Sequence, residues 1–121
     1  MISPYVFPGL KGVHLPGASL SFQVEHLKCL LLSYSEKYQV HKATWADIES
    51  GNRKGELVLL RHMFCYICRR DNLIPTVERI GCEIGNKDHT TVIHAISTIT
   101  ARLQTEDKST IDLYKFINAN I

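Results

Sequence analysis

The chain has 121 residues, of which 45% are hydrophobic and 21% are charged, and its formal net charge is +2. This length suffices for one domain with a single modest core and excludes a second full domain. The composition is typical of a globular protein and excludes an intrinsically disordered chain.

No apolar run approaches the roughly 18 residues that a membrane span requires, and the first residues lack the basic and apolar regions of a secretory signal. The cysteines lie within apolar periodic segments, at Cys29, Cys65, Cys68 and Cys82. Free and mostly buried thiols in a reducing compartment explain them most simply. We therefore expect a cytoplasmic protein that contacts no membrane.

The first predicted element is an extended arm over residues 1–18. This segment holds Pro4, Pro8 and Pro16 together with several glycines, and such a density of helix breakers leaves no periodic pattern. Its aromatic residues Tyr5 and Phe7 are candidates for docking on the domain or on a partner. Residues 19–121 are predicted to form one helical domain.

Three helices follow the arm, each defined by apolar residues at helical spacing between recognisable ends. Their predicted bounds are Ser19 or Ser21 to about Tyr38, Thr44 to Gly51, and Gly55 to Arg70. Thr44 and Asp47 have the spacing of a capping box, which predicts where the short second helix begins.

Two more helices are separated by a tight turn. Thr76 is predicted to cap a short helix, Gly85-Asn86-Lys87 to form the turn, and Asp88 to cap a longer helix that runs to about Leu103. A final helix is predicted from Ser109. Since no segment has the period of a strand, the predicted class is all-α with five to six helices.

A short helix, a turn containing Gly and a second helix have the layout of a helix-turn-helix, whose second helix presents its N-terminal residues to the DNA major groove. Asp88, His89, Thr90 and Thr91 stand at that end. A carboxylate accepts from cytosine, a threonine methyl packs on thymine, and a histidine donates to guanine or phosphate. The alternative is that these residues only cap and begin an ordinary helix, since many helical proteins contain such a pair.

Basic residues exceed acidic ones between Arg53 and Lys87, which is the distribution that a phosphate-facing surface requires. A solvated helix face would explain the same charges. Charge alone leaves both interpretations open.

Three motifs in this region resemble the C-terminal DNA-binding domain of the bacterial replication initiator DnaA. Residues 80–95 are similar to that family's signature, and their Asp-His-Thr-Thr-Val core is complete. Residues 61–69 resemble its Arg-Gln-Ile/Met-Ala-Met-Tyr-Leu helix, and residues 53–58 resemble the basic loop ahead of that helix. The resemblance covers about residues 20–105 and implies a helix-turn-helix fold of the Trp-repressor and DnaA type.

The resemblance also implies a role for individual residues. Among the basic residues, Arg53 would enter the minor groove from a loop that also holds Lys54, and Arg61 and Lys87 would hold phosphates. In the recognition helix, Asp88, His89 and Thr90 would read bases in the major groove, and Thr91 would hold the backbone. His62 stands where the family usually has Gln, which puts a phosphate contact there in doubt. His94 would touch a phosphate or lie at the edge of the helix.

These residues predict sequence-specific binding of double-stranded DNA, at a short asymmetric box, in the regulation or initiation of replication or in transcription. The chain resembles the family's DNA-binding part without its ATPase, so we expect no enzyme activity, cofactor or small-molecule substrate, and a location at the nucleoid. The alternative to a host protein is one encoded by a phage or mobile element, with the arm recruiting replication proteins. The alternative is a protein-interaction module that kept the fold and lost DNA binding.

Two further motifs in the sequence are incomplete. Residues 12–19 have the glycine spacing of a nucleotide-binding loop, but Ala18 replaces the lysine that reaches the phosphates. Cys65 and Cys68 have the spacing of half a zinc site, with Cys82, His62 and His89 as candidate partners, but no second paired motif follows. We therefore predict no bound nucleotide and no metal.

Overall fold

The computed structural model describes residues 20–121, and its side chains from Phe22 onward. These residues form six helices, with bounds α1 Leu20–Tyr38, α2 Trp45–Glu49, α3 Gly55–Arg70, α4 Val77–Glu83, α5 His89–Gln104 and α6 Lys108–Asn120. The described range contains no strand, which confirms the all-α prediction. The predicted arm over residues 1–18 lies outside the described residues, and within them no helix is long and apolar enough to cross a membrane.

Local capping interactions set where several helices begin. Thr44 and Asp47 form the predicted capping box of α2, because each accepts from the other's backbone N–H. Thr76 caps α4 by accepting from the backbone N–H of Arg79 at 3.2 Å. Helix α6 begins at Lys108, one residue before the predicted start near Ser109, because the carboxylate of Asp107 accepts from the backbone N–H of Thr110.

Helix α3 runs through the centre of the domain and packs against α1, α2 and α5. It supplies the largest share of the core, with Leu60, Phe64 and Ile67 fully buried. The apolar stripe predicted for α1 is confirmed at Leu27 and Leu31, whereas Phe22 at the start of the stripe is exposed.

Trp45 lies at the start of α2 and is partly buried against the core. Its ring meets Phe64 edge-on with the centroids 5.0 Å apart, and its indole N–H donates to the Glu83 carbonyl at 3.1 Å. Trp45 therefore ties α2 to the end of α4, as expected for a packing residue rather than a base-stacking one.

Candidate DNA-reading surface

The turn between α4 and α5 brings the two helices into close backbone contact. The backbone N–H of Lys87 donates to the Gly81 carbonyl at 2.9 Å, and a Cβ on Gly81 would overlap the Lys87 carbonyl oxygen. Gly85 and Asn86 both have positive φ, of 98° and 57°. Asn tolerates this conformation better than most residues, so the turn forms with Asn86 as the sequence predicted.

Helix α5 is anchored along one side and open along the other. Val92, Ala95 and Ile99 lie in the core, and Val92 also contacts the position of Gly81. At the N-terminal end of the same helix, Thr90 and Thr91 are exposed. The buried stripe fixes the axis of the helix, so its first turn projects from the domain in a defined direction.

Asp88 and His89 interact with each other at this projecting end. Asp88 occupies the N-cap position of α5, but its side chain makes no capping hydrogen bond, contrary to the usual behaviour of Asp at this position. Its carboxylate instead lies 2.9 Å from Nδ1 of His89, and the two side chains are 68% and 53% exposed. Both groups are therefore accessible to a partner.

Ile93 is a surface residue that the sequence reasoning did not single out. It lies on α5, three residues after Thr90, and is 51% exposed although it is a large apolar residue. The sequence feature that would have indicated Ile93 is its place on α5, where an apolar residue stands outside the buried stripe. An exposed Ile at this place is suited to contact a thymine methyl group in the major groove.

Arg53 and Lys54 lie in the loop between α2 and α3, and both are exposed. The side chain of Asn52 accepts from the backbone N–H of Lys54 at 2.9 Å, and the Ser50 hydroxyl accepts from the backbone N–H of Asn52 at 3.3 Å. These bonds give the loop a defined course. Both cations therefore remain available to a phosphate or a groove.

Arg61 is buried, with 6% of its surface exposed. Its guanidinium donates from Nε to the Ile48 carbonyl at 2.8 Å and from Nη2 to the Asn52 carbonyl at 3.0 Å. The family resemblance implied a phosphate contact for Arg61. The structure instead directs the side chain inward, to the end of α2 and the loop that follows it.

Lys87 also reaches the end of α2. Its ammonium lies 3.4 Å from the Glu49 carbonyl oxygen, and the residue is partly buried. Carbonyl groups at the C-terminal end of a helix attract cations, so Lys87 and Arg61 both stabilise this end of α2. Lys87 remains beside the turn of the helix-turn-helix, close to the projecting end of α5.

His62 and His94 face each other between α3 and α5, with ring centroids 6.3 Å apart and the rings nearly perpendicular. Nδ1 of His62 is buried without a hydrogen-bond partner in the described part of the chain. The pKa of His62 is lowered to about 4, chiefly by burial and in smaller part by the nearby His94, Arg102 and Arg61. His62 is therefore neutral at neutral pH and does not add a positive charge to the surface, whereas His94 is exposed.

The cysteines offer neither a metal site nor a reactive pair within residues 22–121. No three His, Cys, Asp or Glu side chains in that range come together as metal ligands. Cys65 and Cys68 are buried, which raises the pKa of the Cys65 thiol to about 12 and that of the Cys68 thiol further. Cys82, which the sequence placed in an apolar segment, is exposed.

A short helix, a glycine turn and an anchored second helix with a polar, exposed first turn define a helix-turn-helix domain of the DNA-binding class. A family model described as the bacterial DnaA protein helix-turn-helix matches residues 35–99. This match covers more than half of the chain, so the chain belongs to that family. The matched part is the DNA-binding region of DnaA and not its ATPase region.

Several curated proteins are similar to this chain, each named chromosomal replication initiator protein DnaA. The protein from Latilactobacillus sakei is 34% identical over 99 residues, which cover 80% of this chain and 20% of the relative. That from Levilactobacillus brevis is 31% identical over 104 residues, covering 86% and 22%. That from Borreliella burgdorferi is 37% identical over 76 residues, covering 63% and 14%.

The chain thus spans about a fifth of the length of the curated relatives that it matches. No solved structure matches the chain significantly.

Proposed function

We propose that this domain binds double-stranded DNA sequence-specifically, at a short box similar to those that the DnaA family binds. The observation that carries the proposal is the first turn of α5, where Asp88, His89, Thr90 and Thr91 are exposed on a helix whose opposite side is fixed in the core. A projecting, polar helix end of this kind fits the width of the major groove.

Each exposed residue is assigned a part in this proposal. Asp88 and His89 read base edges, Thr90 and Ile93 contact a base or a thymine methyl, and Thr91 holds a phosphate through its hydroxyl. The backbone N–H groups at the start of α5 attract the same phosphate.

The loop between α2 and α3 supplies the second contact. Arg53 enters the minor groove and Lys54 holds a phosphate beside it, since both side chains are exposed on one short segment. Lys87 and His94 contribute backbone contacts on either side of the first turn of α5. Phosphate contacts provide most of the affinity, and the recognition helix with Arg53 provides the discrimination.

The relatives named as replication initiators support a role at a replication origin, in initiation or its regulation, with transcription control as a further use of the same binding. We propose a DNA-bound, nucleoid-associated protein without enzyme activity. Tyr5, Val6 and Phe7 are proposed as the contact to replication proteins, and this segment lies outside the described residues.

The deciding experiment measures binding of the purified protein to a fluorescent duplex that carries a DnaA-type box and to a scrambled duplex, over a series of salt concentrations. A preference for the box that persists at physiological salt supports the proposal, because non-specific binding falls steeply with salt. Equal and strongly salt-sensitive binding to both duplexes contradicts it. Absence of binding to either duplex would favour the protein-interaction module.

A further inference from the structure

We propose that Arg61 is a positioning residue, which holds the loop of residues 50–54 (the α2–α3 loop) at a fixed place relative to α5. The inference rests on the proposed function, because it explains how two proposed DNA contacts, the α2–α3 loop and the first turn of α5, stay at a constant distance from each other. It replaces the phosphate contact that the family resemblance implied for Arg61.

The first observation is the way in which Arg61 is bonded. Its planar guanidinium joins the Ile48 carbonyl, in the last turn of α2, to the Asn52 carbonyl, in the loop itself. No ion pair involves Arg61 among residues 22–121, so its charge is balanced by carbonyl dipoles. A fork of several N–H donors in one plane can bridge two such carbonyls, whereas a single ammonium group holds them less well.

The second observation concerns the other side of the same helix end. Glu49 follows Ile48, and its carbonyl accepts from the ammonium of Lys87 and lies against Gly85, so closely that a Cβ on Gly85 would overlap it. Gly85 and Lys87 belong to the turn that leads into α5. Consecutive carbonyls of α2 are therefore held on one side by α3, through Arg61, and on the other by the turn before the recognition helix.

The third observation concerns the loop. Its other side-chain hydrogen bonds are local, from Ser50 to Asp47, from Asn52 to Ser50 and from Lys54 to Asn52. The bond from Arg61 to Asn52 ties the middle of the loop to a helix of the core. Since Arg53 follows Asn52 directly, this bond decides where Arg53 leaves the domain.

A positioning role and a phosphate contact predict different behaviour. If Arg61 acts through the loop, its replacement weakens binding only as far as Arg53 and Lys54 depend on it, so the effect of Arg61 and the effect of this pair are not additive. If Arg61 holds a phosphate, its replacement lowers the slope of log affinity against log salt by about one, whether or not Arg53 and Lys54 are present.

The test uses Arg61→Lys, which keeps the charge, and Arg61→Met, which keeps most of the apolar stem. Arg69→Met serves as the matched control, because Arg69 lies on the same helix and is exposed. Folding of each variant is checked by circular dichroism and thermal unfolding. Affinity for the box duplex is then measured with and without the double replacement Arg53→Ala and Lys54→Ala.

We expect Arg61→Lys and Arg61→Met each to weaken box binding by roughly tenfold, and by less than about twofold when Arg53 and Lys54 are already Ala. In that double-alanine background, Arg61→Met should leave the salt slope unchanged. Additive losses, or a slope that falls by about one in both backgrounds, would overturn the positioning role in favour of a phosphate contact.

A second measurement needs no DNA and remains decisive if the domain shows no preference for the box. Backbone ¹⁵N relaxation of the free protein reports order parameters for residues 50–54. We expect values near those of rigid backbone, about 0.85, in the unaltered protein and in Arg69→Met, and values below about 0.6 in Arg61→Met. Unchanged order parameters in Arg61→Met would overturn the inference, whereas equal binding of the two duplexes would overturn only the proposed function.

Discussion

Gly85 lies directly against the backbone carbonyl of Glu49, and this contact joins the turn of the helix-turn-helix to the end of α2. A Cβ at position 85 would overlap the carbonyl oxygen, and the backbone has a φ of 98° that non-glycine residues rarely adopt. We therefore expect Gly85→Ala to lower the free energy of unfolding by about 2–3 kcal/mol or more. Urea denaturation followed by circular dichroism measures the loss.

The matched control for this prediction is Gly55→Ala at the start of α3, where a Cβ would meet no atom within 4 Å. Replacing a glycine in a helix without a clash leaves stability unchanged or raises it by up to about 1 kcal/mol. Equal stability of the two variants would show that the turn does not depend on the contact between Gly85 and Glu49.

The methyl and the hydroxyl group of Thr90 can be tested separately for their part in reading bases. We expect Thr90→Ala to reduce discrimination at one or two base pairs by about 1–3 kcal/mol. Thr90→Val keeps the methyl and Thr90→Ser keeps the hydroxyl, so competition binding with each variant shows which group reads the base. Thr100→Ala, an exposed threonine farther along α5, is the control; unchanged discrimination in Thr90→Ala would remove Thr90 from the reading surface.

Ile93 and Ile99 lie on the same helix in opposite environments, since Ile93 is half exposed and Ile99 is fully buried. Ile93→Ala should change stability by less than about 0.5 kcal/mol, whereas Ile99→Ala should cost about 2–5 kcal/mol. Ile93→Ala should lower the affinity for the box duplex, and this loss of affinity should disappear when the contacted thymine is replaced by uracil. A loss that is the same with thymine and uracil would exclude a methyl contact.

Because the pKa of His62 is lowered in the folded protein, we expect the free energy of unfolding to depend on pH. Its pKa is lowered to about 4 in the folded protein, against 6.5 in an unperturbed side chain, chiefly by burial. Between these values the unfolded chain binds more protons than the folded one, so stability falls as the pH is lowered from about 6.5 to about 4. His62→Gln should remove this part of the dependence, as measured by urea denaturation at a series of pH values.

Burial also lowers the pKa of His26. The stability of the unaltered protein and that of His62→Gln therefore both keep some dependence on pH. The difference between the unaltered protein and His62→Gln therefore isolates His62. Parallel stability curves over this pH range would contradict the neutral, buried state of His62.

The thiols should differ in reactivity. Cys82 is exposed, whereas Cys65 and Cys68 are buried and the pKa of each of these two thiols is raised by burial. A thiolate is the reactive form, so an alkylating reagent at neutral pH should modify Cys82 first and Cys65 and Cys68 only on unfolding. Mass spectrometry of digested samples identifies the sites; early modification of Cys65 would show that α3 opens readily.

Much of the fold could be predicted from the sequence because its signals are local. The bounds of α3 follow from an apolar stripe between Gly55 and Arg70. Thr44 and Thr76 cap their helices through side chains only three residues away from the bonded N–H. Asp88 shows the limit of such rules. It takes the N-cap position, but its carboxylate turns to His89, a choice between two nearby donors that the sequence does not decide.

The sequence by itself determined the helix order, the glycine turn and the polar residues at the start of α5, because each depends on contacts within a few residues along the chain. Only the tertiary structure decided that Arg61 faces inward, that His62 loses its charge and that Ile93 remains exposed. These outcomes depend on which helix covers which face. Arg61 meets carbonyls 9 and 13 residues before it in the chain, and such pairings follow from packing of the whole domain rather than from any local pattern.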